Sequence, residues 1–111
     1  MPVYLLRMKS YYKPGLKIGM LGGGQLGRML IQEAINMNLE IAVLDPDENA
    51  PSRCLTSSFT KGNFYDYQTV IDFAKNLDIL TIEIEHVNID ALKYLEKKGV
   101  KVFPQPAFLE I

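Results

Sequence analysis

Short apolar runs alternate along the chain with segments of helical periodicity. The clearest runs cover residues 17–21, 40–44, 79–84 and 100–103, and a weaker one covers 57–61. These runs are too short for buried helices and lack the regular polar alternation of half-exposed strands. Uninterrupted apolar runs are typical of parallel strands that are covered on both faces. The pattern therefore predicts a mostly parallel sheet of about five strands.

Three segments between these runs show the spacing of amphipathic helices. The first covers residues 25–38, the second follows Asp66 and reaches about residue 76, and the third lies between Asn88 and Gly99. Asp66 and Asn88 are favourable N-cap residues, and Gly99 is a favourable helix terminator. The residues predicted to face the sheet are Leu26, Met29, Leu30, Ala34 and Met37 in the first helix, Val70, Phe73, Ala74 and Leu77 in the second, and Ile89, Leu92 and Leu95 in the third.

Strands and helices that alternate at this spacing predict one α/β domain, a Rossmann-like three-layer sandwich with right-handed crossovers. A chain of 111 residues allows a single domain, and 48% apolar residues suffice for its core. We place this domain at residues 17–111. Residues 1–16 are rich in tyrosine and lysine and end in the turn Pro14-Gly15, so we interpret them as an N-terminal arm.

Composition and charge argue against several classes of function. A net charge of −1, from 12 basic and 13 acidic residues, does not provide the basic face of a nucleic-acid-binding protein. The single cysteine cannot form an internal disulfide, and His86, the only histidine, cannot build a His/Cys metal cluster. No apolar run approaches the roughly 18 residues of a membrane span, and no signal-peptide pattern is present. We expect a cytoplasmic protein with neither a nucleic-acid nor a membrane partner.

The stretch GGGQLGR, residues 22–28, is the first candidate for chemistry. Gly22, Gly24 and Gly27 fit the pattern G-x-G-x-x-G between a strand and a helix, where backbone N–H groups and the helix dipole favour an anion. Asp45 ends the second strand 18 residues after Gly27. An acid at that place binds the ribose 2′-hydroxyl in dinucleotide folds. Taken alone, these features predict an NAD(P)-binding half domain of an oxidoreductase.

Three features oppose the dinucleotide interpretation. The chain supplies too few strands for the two halves of a dinucleotide fold. Asp45 is followed by the acidic loop DPDEN, which repels a second phosphate. Gln25 places a polar side chain, with both a donor and an acceptor, at the mouth of the turn. A non-catalytic nucleotide-binding module therefore stays open as another alternative.

A second candidate lies at the end of the fourth strand, in TIEIEH, residues 81–86. Alternation puts Glu83 and Glu85 on one side of the extended chain. Ligands of parallel α/β sheets bind beyond the carboxyl ends of the strands, near the point where the strand order reverses. This rule brings the ends of strands one and four together and places Glu83 opposite the turn. The principal candidates for substrate binding are Gly24, Gln25, Leu26 and Glu83, with Gly22, Arg28, Asp45 and Glu85 as secondary candidates.

Arg28 lies in the first turn of the first helix, where its charge opposes the helix dipole. That position predicts a specific partner, either a phosphate or one of the acids Glu83 and Asp45. The sequence offers no catalytic residue and no metal ligand.

The segments GGGQLGRML, IAVLDPDENAPS, TIEIEHVN and VFPQP together resemble the N-terminal domain of the N5-carboxyaminoimidazole ribonucleotide synthases, from about residue 17 to residue 111. Two positions depart from the pattern: members often carry asparagine where this chain has His86, and a basic residue near Glu110. The resemblance implies a pre-ATP-grasp fold. It also implies that the turn Gly24-Gln25-Leu26 and Glu83 contact the ribonucleotide substrate.

The resemblance further implies an ATP-dependent carbon–nitrogen ligase of purine biosynthesis, which carboxylates 5-aminoimidazole ribonucleotide with bicarbonate. The complete enzyme is expected to use ATP and Mg²⁺ and to form a homodimer. The ATP-grasp domains are absent from these 111 residues. We therefore expect a domain fragment that is inactive by itself and binds no cofactor alone.

Overall fold

The computed structural model describes residues 13–84 and 86–103. Glu85, Glu110 and most of the predicted arm therefore lie outside the described residues. Within them, a single parallel sheet is formed by the strands β1 (Ile18–Leu21), β2 (Ile41–Asp45), β3 (Phe59–Lys61), β4 (Ile79–Ile82) and β5 (Lys101–Phe103). The predicted α/β fold and parallel sheet are confirmed.

The strand order is β3-β2-β1-β4-β5, which puts β1 at the centre of the sheet. Leu21, the last residue of β1, pairs in register with Leu44 on one side and Ile82 on the other. After β1, the chain adds β2 and β3 on one side of it, and then β4 and β5 on the other side. The order therefore reverses between β1 and β4, as predicted, and this is where a parallel sheet opens a crevice.

Three α-helices and one 3₁₀ helix connect the strands: α1 (Gln25–Asn36), the 3₁₀ helix (Pro51–Cys54), α2 (Tyr67–Ala74) and α3 (Ile89–Lys97). Both predicted N-caps are confirmed. The Asp66 carboxylate accepts a hydrogen bond from the Thr69 backbone N–H at 3.0 Å, and the Asn88 side-chain oxygen accepts one from the Ala91 N–H at 3.0 Å. The first helix ends two residues before its predicted end, because Asn38 adopts a φ of 61°, which is incompatible with a helix.

The core consists of two apolar clusters, one on each face of the sheet. One cluster joins α2 and α3 to side chains such as Leu21, Leu80 and Val102. The other joins α1 to side chains such as Met20 and Val43 on the opposite face. The faces predicted for α2 and α3 are confirmed, since their buried residues include Val70, Ala74, Leu92 and Leu95.

The face predicted for α1 is wrong in part. Leu26 is 69% exposed and Met29 is 59% exposed. The predicted Leu30 and Ala34 are buried, and the helix buries Gly27 and Ile31 in addition. The reason is a close approach at Gly27, where a Cβ atom would lie 2.8 Å from the Gly22 carbonyl oxygen and 2.9 Å from Met20 Cε. The line of contact with the sheet therefore passes through the glycine, and the larger Leu26 and Met29 are rotated outward.

Candidate functional site

The glycine turn and the chain that leaves β4 meet at the carboxyl edge of the sheet. Gly22 follows β1 directly with a φ of 97°, a conformation that glycine adopts at little cost. The Glu83 N–H donates to the Leu21 carbonyl at 2.9 Å. A Cβ atom on Gly22 would lie 3.2 Å from the Glu83 carbonyl oxygen and would collide with Ile84. The prediction that the ends of the first and fourth strands lie side by side is confirmed.

The open part of the turn comprises Gly24, Gln25 and Leu26, all of which are exposed. Gly24 is the N-cap of α1, with no side-chain cap, and a Cβ atom on it would have no neighbour within 4 Å. The first N–H groups of an α-helix lack intrahelical acceptors and carry the positive end of the dipole. This edge therefore offers backbone donors, the Gln25 amide and an apolar side chain to a ligand.

The Asp45 side chain points toward the glycine turn from the interior of the protein. The residue is only 9% exposed. Oδ2 accepts a hydrogen bond from the Gly23 N–H at 2.7 Å, and Oδ1 accepts one from the Asp47 N–H at 2.9 Å. In a dinucleotide site this acid projects toward the ribose. Here both of its oxygens are bonded to the backbone, so the structure shows Asp45 as part of the frame of the turn.

The remaining candidates lie at the rim of the same edge. Arg28 is half-buried in the first turn of α1, and Glu83 is half-buried after β4. Among residues 13–84 and 86–103, ion pairs join Lys13 to Asp78 and Lys61 to Glu48. The specific partner of Arg28, a phosphate or one of the acids Glu83 and Asp45, stays a prediction. Local sequence spacing does not fix the partner of a long arginine side chain.

Ser52 is a residue of this edge that the sequence analysis missed. It lies in the 3₁₀ helix, is fully buried, and donates its backbone N–H to the Gly23 carbonyl at 2.9 Å. The signal that could have revealed it is Pro51 at the start of a helical turn, because proline is favoured at that position. The acidic loop DPDEN, residues 45–49, gives no other sign that a buried side chain follows it.

Neither 13–84 nor 86–103 contains a group of three or more histidine, cysteine, aspartate or glutamate residues arranged to hold a metal ion. Every helix in these ranges is too short or too polar to cross a membrane.

The strand order, the glycine turn at the point where that order reverses, and the open N-terminus of α1 define a Rossmann-like α/β domain. Residues 16–111 match the family model of the ribonucleotide synthetase preATP-grasp domain. The chain belongs to this family, and the resemblance seen in the sequence is confirmed. This membership decides against the NAD(P)-binding half domain that the glycine pattern alone predicts.

Two proteins of known name are similar to most of this chain. Phosphoribosylaminoimidazole carboxylase, chloroplastic, of Vigna aconitifolia is 46% identical over 94 residues, which are 85% of this chain and 17% of that protein. N5-carboxyaminoimidazole ribonucleotide synthetase of Thermotoga maritima has a solved structure that superposes with a TM-score of 0.80 at 38% identity, over 86% of this chain and 27% of that one.

A third similar protein was solved with ligands. N5-carboxyaminoimidazole synthase of Aspergillus clavatus, in complex with ADP and 5-aminoimidazole ribonucleotide, superposes with a TM-score of 0.77 at 37% identity, over 86% of this chain and 25% of that one. This chain therefore spans between 17% and 27% of the length of the three relatives.

Proposed function

We propose that this chain is the N-terminal ribonucleotide-binding domain of an ATP-dependent ligase of purine biosynthesis. The ligase carboxylates 5-aminoimidazole ribonucleotide with bicarbonate and yields N5-carboxyaminoimidazole ribonucleotide. One observation carries the proposal: in a domain of the ribonucleotide synthetase family, the turn 24–26 is exposed beside the chain that leaves β4, where the strand order reverses. The Aspergillus clavatus relative, solved with this ribonucleotide and ADP, supports the choice of ligand.

The candidate residues divide the recognition of the ribonucleotide between them. The Gln25 amide donates to and accepts from ligand atoms, and Glu83 accepts from a ribose hydroxyl or from the exocyclic amine. Gly24 leaves open space for the ligand, and the exposed Leu26 covers an apolar part of it. Arg28, half-buried in the first turn of α1, and Glu85 are the proposed secondary contacts. Together these groups hold the ribonucleotide while its amine is carboxylated.

The complete enzyme requires more than this domain. ATP hydrolysis drives the carboxylation, and we place the binding of ATP, Mg²⁺ and bicarbonate in ATP-grasp domains that follow the preATP-grasp domain of residues 17–111. The domain is inactive alone, and the enzyme works as a homodimer in the cytoplasm.

Kinetics of the enzyme that carries this domain test the proposal. We expect Gln25→Ala and Glu83→Ala each to raise the KM for the ribonucleotide by about threefold to tenfold or more, since each removes a hydrogen bond to the ligand. The KM for ATP should stay unchanged.

Matched controls come from the same chain. Gln32 is an exposed glutamine further along α1, and Glu96 is an exposed glutamate on α3, away from the carboxyl edge. Gln32→Ala and Glu96→Ala should leave both KM values unchanged. Equal increases in the KM for ATP and for the ribonucleotide, or control variants as impaired as the site variants, contradict the assigned site.

A further inference from the structure

We propose that Asp45 is a positioning residue, whose buried carboxylate fixes the glycine turn and thereby presents Gln25 to the ribonucleotide. The proposal rests on the function proposed above, because it concerns the same site. Asp45 touches the turn from the protein side, opposite the open part formed by residues 24–26. Its effect on the ligand is therefore indirect and acts through the turn.

The peptide groups on both sides of Gly23 are hydrogen-bonded, one to Asp45 at the end of β2 and the other to Ser52 in the 3₁₀ helix that follows. The Gly23 N–H donates to Asp45 Oδ2 at 2.7 Å, and the Gly23 carbonyl accepts from the Ser52 N–H at 2.9 Å. One residue earlier, the Gly22 N–H donates to the Leu44 carbonyl at 2.9 Å. Three consecutive hydrogen bonds thus determine the path of the chain immediately before Gly24 and Gln25.

Asp45 is itself held rigidly. Its Oδ1 accepts from the Asp47 N–H, and its backbone carbonyl accepts from the Gly62 N–H at 3.1 Å. Among the described residues, neither ion pair of the molecule includes Asp45, so backbone N–H groups stabilise its buried charge. Hydrogen bonds from an amide to an ionised carboxylate are generally shorter and stronger than those to a neutral oxygen. The bond from the Gly23 N–H to Asp45 is 2.7 Å long.

This arrangement limits what the turn offers to a ligand. The Gly23 N–H is already bonded to a carboxylate and is not available to a phosphate. The groups left for recognition are those of Gly24, Gln25 and Leu26, and their placement depends on the bond between Gly23 and Asp45. Loss of that hydrogen bond should weaken ribonucleotide binding, although Asp45 itself makes no contact with the ligand.

Asp45→Asn is the test variant, and Asp47→Asn is its matched control. An asparagine at position 45 has one acceptor oxygen and turns an N–H₂ group toward the second backbone N–H, so at most one of the two bonds survives. Asp47 lies in the same loop and is exposed, but its Oδ1 accepts only from the nearby Asn49 N–H at 2.9 Å. The control therefore changes the same charge without changing the turn.

In the enzyme that carries this domain, we expect Asp45→Asn to raise the KM for the ribonucleotide about tenfold or more, with the KM for ATP unchanged. Asp47→Asn should change neither. Because Asp45 acts through the turn, its effect should depend on Gln25. The double variant Asp45→Asn, Gln25→Ala should therefore show a fold-increase in the ribonucleotide KM much smaller than the product of the two single-variant increases.

Two results overturn the positioning role. In the first, Asp45→Asn and Asp47→Asn have the same KM for the ribonucleotide, while Gln25→Ala has a raised one. The other is a lower kcat with an unchanged KM, which indicates a loss of folded enzyme only. If Gln25→Ala also has a normal ribonucleotide KM, the proposed function itself fails, so the two failures are distinguishable.

A measurement on the unaltered 111-residue chain covers the case in which Asp45→Asn does not fold. NMR should detect a scalar coupling across the hydrogen bond between the Gly23 amide nitrogen and the Asp45 carboxyl carbon. It should also find the Gly23 amide protected from hydrogen exchange. A Gly23 amide that exchanges rapidly and shows no coupling overturns the proposal without any variant.

Discussion

At the scale of single residues, Gly23 is the tightest point of the site. A Cβ atom there would collide with Ser52 Oγ and lie 3.0 Å from Val43 Cγ1, whereas a Cβ atom on the neighbouring Gly24 meets nothing within 4 Å. Ser52 is fully buried and cannot move aside freely. The two adjacent glycines therefore have different requirements, and the one with no room for a side chain, Gly23, stands at a position that the pattern G-x-G-x-x-G leaves unrestricted.

We predict that Gly23→Ala lowers the free energy of unfolding by about 1–3 kcal/mol, the usual cost of overpacking. Gly24→Ala should change it by less than about 0.5 kcal/mol, since the loss of a favourable N-cap residue is offset by the lower entropy of the unfolded chain. Urea unfolding of the two variants measures the difference. Similar losses of stability in both variants would show that the Gly23 contact does not exist.

How far the residues of the site could be predicted depends on the range of the interactions. The glycine turn was predictable because its pattern is local and is followed by helical spacing. The orientation of Asp45 was not, because it depends on the Gly23 N–H, 22 residues away in sequence. The position of Ser52 was also not predictable, because the 3₁₀ helix that buries it gives almost no periodic signal.

At the scale of elements, the two shorter flanking helices begin with side-chain caps of different chemistry. Asp66 caps α2 with a carboxylate, which accepts from both the backbone N–H and the hydroxyl of Thr69. Asn88 caps α3 with a neutral amide. The hydrogen bonds from the Thr69 hydroxyl and N–H lower the pKa of Asp66 from its ordinary value.

These caps should respond differently to acid. Because the folded pKa of Asp66 lies below the unfolded value of about 3.9, its contribution to stability is present above about pH 4. That contribution is lost as the pH falls through the folded pKa. We predict that Asp66→Ala is less stable than the unaltered chain at pH 7 and that the difference shrinks below pH 4.

Asn88→Ala is the control for this pH dependence. It should cost about 1 kcal/mol, and the cost should be the same at pH 7 and below pH 4, since the amide does not titrate. Thermal or urea unfolding at both pH values measures both variants. A stability difference for Asp66→Ala that persists unchanged in acid would contradict the assigned role of its carboxylate.

The elements also show where periodicity misleads. The existence of every predicted strand and helix is confirmed, because apolar runs and caps are local signals. The inward face of α1 was misassigned because periodicity favours large apolar residues such as Leu26 and Met29 over Gly27. A glycine that permits close helix–sheet packing carries no hydrophobic signal, yet it decides which way the helix faces.

At the scale of the whole molecule, the strand order explains why the site lies where it does. Residues far apart in sequence meet because β1 and β4 are neighbours at the reversal of the order, so the glycine turn and Glu83 share one edge. The alternation of elements predicted this topology without any contact information. The topology alone does not choose the ligand, and the proposal of a ribonucleotide rests on family membership.

The central claim is that the turn 24–26 binds 5-aminoimidazole ribonucleotide, and an amide NMR titration of this chain tests it most directly. The ribonucleotide and NAD are added separately, each to millimolar concentration. The account predicts that the ribonucleotide shifts the amide signals of Gly24, Gln25 and Leu26, and that NAD leaves them unchanged. Shifts caused by NAD and extending to Asp45, or ribonucleotide shifts confined to another part of the domain, would contradict it.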